Sequence, residues 1–144
     1  MSNLTNVDAF SFLQWATVDP SYYDELFYSL GLCKIAELES NGDVVWRSND
    51  VYFFVTTRRA DFVTQHGPGV SGIGLRFGNA KIAYEHAFLY GMQDDNDWAN
   101  VQNAMGPRVG HGIDGAKLYF TDFPVWKELE SSWKGYDKDR KSVV

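Results

Sequence analysis

Gln65-His66-Gly67-Pro68-Gly69-Val70-Ser71-Gly72-Ile73-Gly74-Leu75-Arg76-Phe77 divides this chain in two. The first half of the stretch punctuates. Pro68 fixes its own φ, and the glycines beside it accept positive φ at low steric cost, so a sharp turn is predicted. The second half alternates. Ser71, Ile73, Leu75 and Phe77 fall on one face of an extended strand, and Val70, Gly72, Gly74 and Arg76 on the other. The first face suits packing beneath a helix. The second is nearly bare, so a backbone, a bulky side chain or a ligand has to approach it closely.

Toward the N-terminus, residues 1–7 are polar and are expected to be disordered. Ala9 to Ala16 alternates and is predicted as a strand, with Phe10, Phe12, Gln14 and Ala16 on one face. Asp19-Pro20 then offers a cap and a first helical residue. Tyr22, Tyr23, Leu26, Phe27 and Leu30 form an apolar helical stripe that Gly31 should end. Strands are expected over Cys33–Glu39, Val44–Arg47 and Val51–Thr56, with Asn41-Gly42 as a hairpin turn and Asn49-Asp50 as a second turn. A short helix is expected over residues 60–66.

The chain beyond the central turn begins in the same way. A strand over Val70–Phe77 is followed by Asn79 as a cap, a helix carrying Ile82, Ala83, Ala87 and Leu89, and Gly91 as its stop. Residues 93–104 carry no clear pattern. Ile113-Asp114-Gly115 reads as a turn, and Ala116–Thr121 as a late strand. Trp126, Leu129 and Trp133 suggest a short amphipathic segment packed on the domain, and Tyr136–Val144 reads as a linker.

The repetition indicates an α+β fold built by duplication. Two βαβββ modules would form an open, cup-shaped barrel with helices outside. The expected boundaries are 8–66 for the first module and 67–123 for the second, with residues 124–144 as an amphipathic segment and a linker leading elsewhere. The inward face would hold Phe10, Phe12, Gln14, Gly72, Gly74, Arg76, Tyr119 and Thr121.

A chain of 144 residues with 44% apolar and 16% aromatic residues can build a sizeable core. Its net charge of −6 argues against nucleic acid as a partner. No apolar run is long enough to cross a bilayer, and Cys33 is the single cysteine, so a cytoplasmic setting is expected and an internal disulfide is excluded. The three histidines, His66, His86 and His111, lack metal-ligand spacing. Asp94, Asp95 and Asp97 start like a calcium loop but lack its glycine and closing glutamate. The Gly67–Gly72 stretch precedes a strand, not a helix, and so lacks a phosphate cradle. Ser71 and Cys33 have no base in a nucleophile motif. Arg76 faces the cup, where it would hold a carboxylate or pair with a local acid. Residue chemistry alone presents no catalytic set.

Several stretches carry a resemblance. They are Asn49–Val55, Phe62–His66 running into Gly67-Pro68-Gly69-Val70, Ala83-Tyr84 with Gly91, and Gly112–Phe120. Together they resemble the N-terminal domain of 4-hydroxyphenylpyruvate dioxygenase, in the vicinal oxygen chelate (glyoxalase/bleomycin-resistance/dioxygenase) superfamily, over residues 8–122. The resemblance implies an intact iron-dependent enzyme of tyrosine catabolism, an oxidoreductase with a second such domain. There two histidines and a glutamate hold Fe(II) in a facial triad. Laid on that pattern, Phe12 and Gly72 stand at the histidine positions and Thr121 at the glutamate. A benzyl group, a bare glycine and one neutral hydroxyl cannot bind Fe(II), so the resemblance implies no metal and no catalytic residue here. Fe(II) is expected only in the missing C-terminal domain, and the partners are that domain and further copies in a homo-oligomer. Phe10, Gln14, Arg76 and Tyr119 are the expected cup-lining residues. The alternative is a stand-alone dimer of the same fold that binds a small aromatic or hydrophobic ligand.

Overall fold

The structure, a computed structural model, describes residues 6–37, 42–93 and 108–122. In chain order the elements are β1 (Val7–Ala16), a 3-10 turn (Pro20–Tyr23), α1 (Asp24–Ser29), β2 (Cys33–Glu37), β3 (Val44–Ser48) and β4 (Val51–Thr56). Then come α2 (Ala60–His66), β5 (Gly69–Phe77), α3 (Ala80–Leu89), β6 (Arg108–His111), a short turn (Ile113–Gly115) and β7 (Lys117–Thr121). Val7, assigned from sequence to a disordered start, already belongs to β1 and pairs with Phe77. Segments 94–107 and 123–144 lie outside the described residues, and with them the Asp94–Asp97 loop and the Trp126–Trp133 stripe.

Seven strands form one sheet in the order β2-β3-β4-β1-β5-β7-β6. Apart from β2 at one edge, the order mirrors itself about the β1–β5 pair. β1 runs parallel to β4 and β5 parallel to β7, while β1 and β5 meet antiparallel. The modules are therefore joined by a hydrogen-bonded ladder as well as by α2. α1 covers one flank of the outer face, with Phe27 against Trp46, Val55, Trp15 and Phe53. α3 covers the other flank, with Ala80 and Ala83 against Phe77 and Phe120. This is an open α+β cup with helices outside, in which the second module, β5-α3-β6-β7, shows three strands among the described residues where four were expected.

Local chemistry explains most boundaries. The Asn79 side chain accepts a hydrogen bond from the Ile82 N–H and caps α3. The Asp122 carboxylate also accepts from the Ala80 N–H, tying the end of β7 to the start of that helix. Asn49 takes a positive φ of 53° between β3 and β4, a turn conformation asparagine tolerates. The N-terminal helix departs from expectation. Asp19 caps no helical N–H, and the segment opens as a 3-10 turn before α1 starts at Asp24. The Asp19 carboxylate is engaged instead by the Ser21 hydroxyl, at 2.8 Å. β6 has little pattern to betray it, because only Val109 of Arg-Val-Gly-His is apolar.

Candidate functional site: a filled cup

The inner face is a packed core. Phe12, Phe54 and Tyr119 meet at its centre. The Phe12 ring lies 5.0 Å from that of Phe54, edge to face, and 5.4 Å from that of Tyr119. Cys33, Ile35, Val45, Tyr52 and Val109 close around them. The bare face of β5 is what admits these rings. A methyl group placed on Gly74 would collide with the Phe12 ring, and one on Gly72 would stand 2.8 Å from Tyr119 Cε2. The neighbours that the glycines require are therefore side chains of the same chain.

Beside the rings runs a buried polar chain. Gln14 Nε2 donates to the Tyr119 hydroxyl at 2.9 Å. Gln14 Oε1 accepts from Ser71 Oγ at 2.9 Å and from Arg59 at 3.4 Å. Arg59 has no exposed side-chain surface, and besides Gln14 of β1 its fork reaches three further elements. It donates to the Ser71 carbonyl at 2.9 Å, to the Gly115 carbonyl at 2.7 Å and to both Asp61 carboxylate oxygens at 3.1 Å. A planar, permanently charged group with five donors is suited to such a junction. The Arg59 hydrogen bond, more than its charge, holds the Asp61 carboxyl below its usual range, against a smaller opposing effect of burial. Lys117 is half-buried, and loss of solvent, then repulsion by Arg59, lower its ammonium pKa.

Burial pushes the Tyr119 phenol well above its usual range, more than Gln14 and Arg59 draw it down. The sign follows by linkage. The unfolded phenol ionises near pH 10 and the folded one only above that. The stability from neutral Tyr119 is therefore complete below about pH 10 and is lost as pH rises through the folded value. Lys117, shifted the other way, adds stability as pH rises toward its unfolded value of about 10.5, mostly below the window in which the Tyr119 contribution is lost. Tyr119→Phe is expected to flatten the fall of the urea midpoint above about pH 10. An identical fall in both proteins would show that the buried phenol does not govern it.

The expected site residues fall out as follows. Phe12, Gln14, Tyr119 and Thr121 are buried on the inner side. Phe10 is not. A bulge between Phe10 and Phe12 pairs Phe10 with Leu75, on the helix-covered face, and leaves it 55% exposed. Ser71, read as a helix-facing residue, is instead wholly buried in the polar chain, beside a second bulge at Gln14 and Trp15. Arg76 is half-buried and has no acidic partner among the described residues. The ladders do not bring Phe12, Gly72 and Thr121 onto one row. Phe12 lies beside Gly74 and Tyr119, Gly72 beside Gln14 and Lys117, and Thr121 beside Arg76. Gly72 and the β5 partner of Thr121 are four residues apart, about 13 Å of strand. The Thr121 hydroxyl already faces the Leu75 carbonyl at 3.3 Å and Ser11 Oγ at 3.3 Å. These residues do not fit an iron ion, and among the described residues no three His, Cys, Asp or Glu side chains gather as a metal set. His66 faces Asp114 at 3.7 Å, and the His86 ring meets that of Tyr90 edge to face.

Arg59 was missed from sequence, although one signal was present. An arginine stands at the N-cap of α2, where Ser, Thr, Asp or Asn is preferred and where the helix dipole disfavours a cation. Such a residue has a use elsewhere.

The family model described as "Hydroxyphenylpyruvate dioxygenase, HPPD, N-terminal" matches residues 1–139. The chain belongs to this family. Among curated relatives it is 29% identical over 127 residues to the "Hemolysin VllY" of Vibrio vulnificus, covering 83% of this chain and 35% of that protein. It is 24% identical over 131 residues to a 4-hydroxyphenylpyruvate dioxygenase of Legionella pneumophila, covering 84% and 35%. It therefore spans about a third of the length of these curated relatives. A mutant 4-hydroxymandelate synthase from Streptomyces coelicolor has the same fold, with a TM-score of 0.72 at 16% identity over 95% of this chain and 44% of that one. So does methylmalonyl-CoA epimerase from Mycobacterium tuberculosis, with a TM-score of 0.61 at 13% identity over 88% and 96%. Among the described residues no helix is long and apolar enough to cross a membrane.

Proposed function

We propose that this chain is the non-catalytic N-terminal domain of an Fe(II)-dependent 4-hydroxyphenylpyruvate dioxygenase of the cytoplasm. The intact enzyme would convert 4-hydroxyphenylpyruvate and O2 to homogentisate and CO2, with the metal held by two histidines and a glutamate in a C-terminal domain. The present residues would supply a rigid scaffold, contacts to that domain, and contacts between copies in a homo-oligomer. The observation that carries this reading is the filled cup. Phe12 occupies the hollow above Gly74, and Gln14 and Tyr119 occupy that above Gly72, where a ligand and its metal would have to sit. Family membership over residues 1–139 supports the assignment to this enzyme class. The same packing weighs against the alternative of a stand-alone binding protein, whose aromatic ligand would need that space.

The test is direct. The purified 144-residue chain, incubated anaerobically with Fe(II) and passed through a desalting column, is expected to retain far less than one iron per chain. On addition of 4-hydroxyphenylpyruvate and air, it is expected to consume no oxygen above the iron blank. One iron per chain together with keto-acid-dependent oxygen uptake would refute the scaffold assignment.

A further inference from the structure

The two covering helices leave the middle of the outer face open. On that face, the ladder places Val7 beside Phe77, Phe10 beside Leu75, and Leu13 beside Ile73. Phe77 is buried under α3, but Val7 is 53% and Phe10 55% exposed, and Leu13, Ile73 and Leu75 are only half-buried. This is an apolar seam along the junction of the two modules, open at the end where β7 finishes. The chain leaves the described structure at that end, with Thr121 level with Arg76 and Asp122 tied to the start of α3.

We propose that this seam is an intrachain docking surface for Trp126, Leu129 and Trp133. Three facts favour this occupant. The stripe has spacings of three and four residues and is set among Lys127, Glu128, Glu130 and Lys134, so a helical conformation would gather the apolar groups on one face. The tether has the right length. β7 lies two strands from β1, about 10 Å across, and Phe10 lies about 10 Å along from the end of β1. Four residues from Asp122 to Trp126 span up to about 13 Å, close to the diagonal. Attachment in the same chain also gives the stripe an effective concentration in the millimolar range.

The test is a double-mutant cycle in the 144-residue chain. Phe10→Ala and Trp126→Ala are combined, and urea unfolding is followed by circular dichroism. Phe10 is a surface position of β1, so Phe10→Ala is expected to fold. The unfolding constant of the double variant is expected to fall at least tenfold short of the product of the single effects. Amide exchange supplies a second reading, in which Phe10→Asp is expected to speed exchange of residues 126–133 at least tenfold while β5 and α3 keep their protection. Additive single effects with unchanged exchange of residues 126–133 would overturn the proposal. So would a dimer by sedimentation that Phe10→Asp converts to monomer, because the seam would then belong to a second copy.

Discussion

Gly74→Ala is expected to destabilise this domain by about 3 kcal/mol, at the upper end of what one forced methyl costs in a packed core. The new Cβ would occupy the position of the Phe12 ring. That ring cannot swing aside, because Phe54 and Tyr119 hold it from two other directions. Relief would require the β1–β5 ladder to open or Phe12 to leave its rotamer. The compensating change follows from the same geometry. Phe12→Leu on its own leaves a cavity, but combined with Gly74→Ala it returns the space to the new methyl. The double variant is expected to be more stable than Gly74→Ala alone. Urea midpoints of the four proteins measure this. A Gly74→Ala midpoint equal to that of the parent would mean that Phe12 does not sit over Gly74.

The second large effect is at Arg59. Arg59→Met keeps much of the volume and the aliphatic stem but removes every donor. The Ser71 and Gly115 carbonyls and Gln14 Oε1 lose their Arg59 bonds. Each buried acceptor so deprived costs about 1–3 kcal/mol. With three such acceptors affected, a total loss of about 3–5 kcal/mol is expected here. Arg59→Lys should recover only part of it, because an ammonium cannot reproduce the fork. Asp61→Asn should cost under about 1 kcal/mol, since that carboxylate is 65% exposed and well screened. A loss at Asp61 as large as at Arg59 would show that the charge pair, and not the carbonyl contacts, holds the junction. Chemical unfolding near pH 7 separates these outcomes.

What the sequence revealed and what it concealed divide along a physical line. Asn79, Gly31, Gly67 and Gly91 act within a few residues of themselves, so helix caps, stops and the central turn were readable where they stand. The alternation of β5 foretold that a backbone, a bulky side chain or a ligand would press on Gly72 and Gly74. Phe10 and Ser71 were misplaced because the alternation presumes an unbroken pleat, and the ladder of β1 with β5 is broken at both places. Bulges arise from the pairing of two strands and leave little trace in either one. The buried polar chain was hidden for a related reason. Gln14, Arg59, Ser71 and Tyr119 are far apart in sequence, and only the strand order brings them together. Phe12, Gly72 and Thr121 were expected at metal positions only through a family pattern. The ladders set them on successive rows, a spatial relation that residue types alone do not encode.

The pairing of Phe12 with Gly74, and of Gln14 with Gly72, has an evolutionary corollary. Each couple draws one member from either repeat, bulk on one side and bareness on the other. Neither module can change alone at these sites. An enlargement in the later repeat would be tolerated only with a matching reduction in the earlier one, so the two sites should co-vary across descendants as reciprocal exchanges of size.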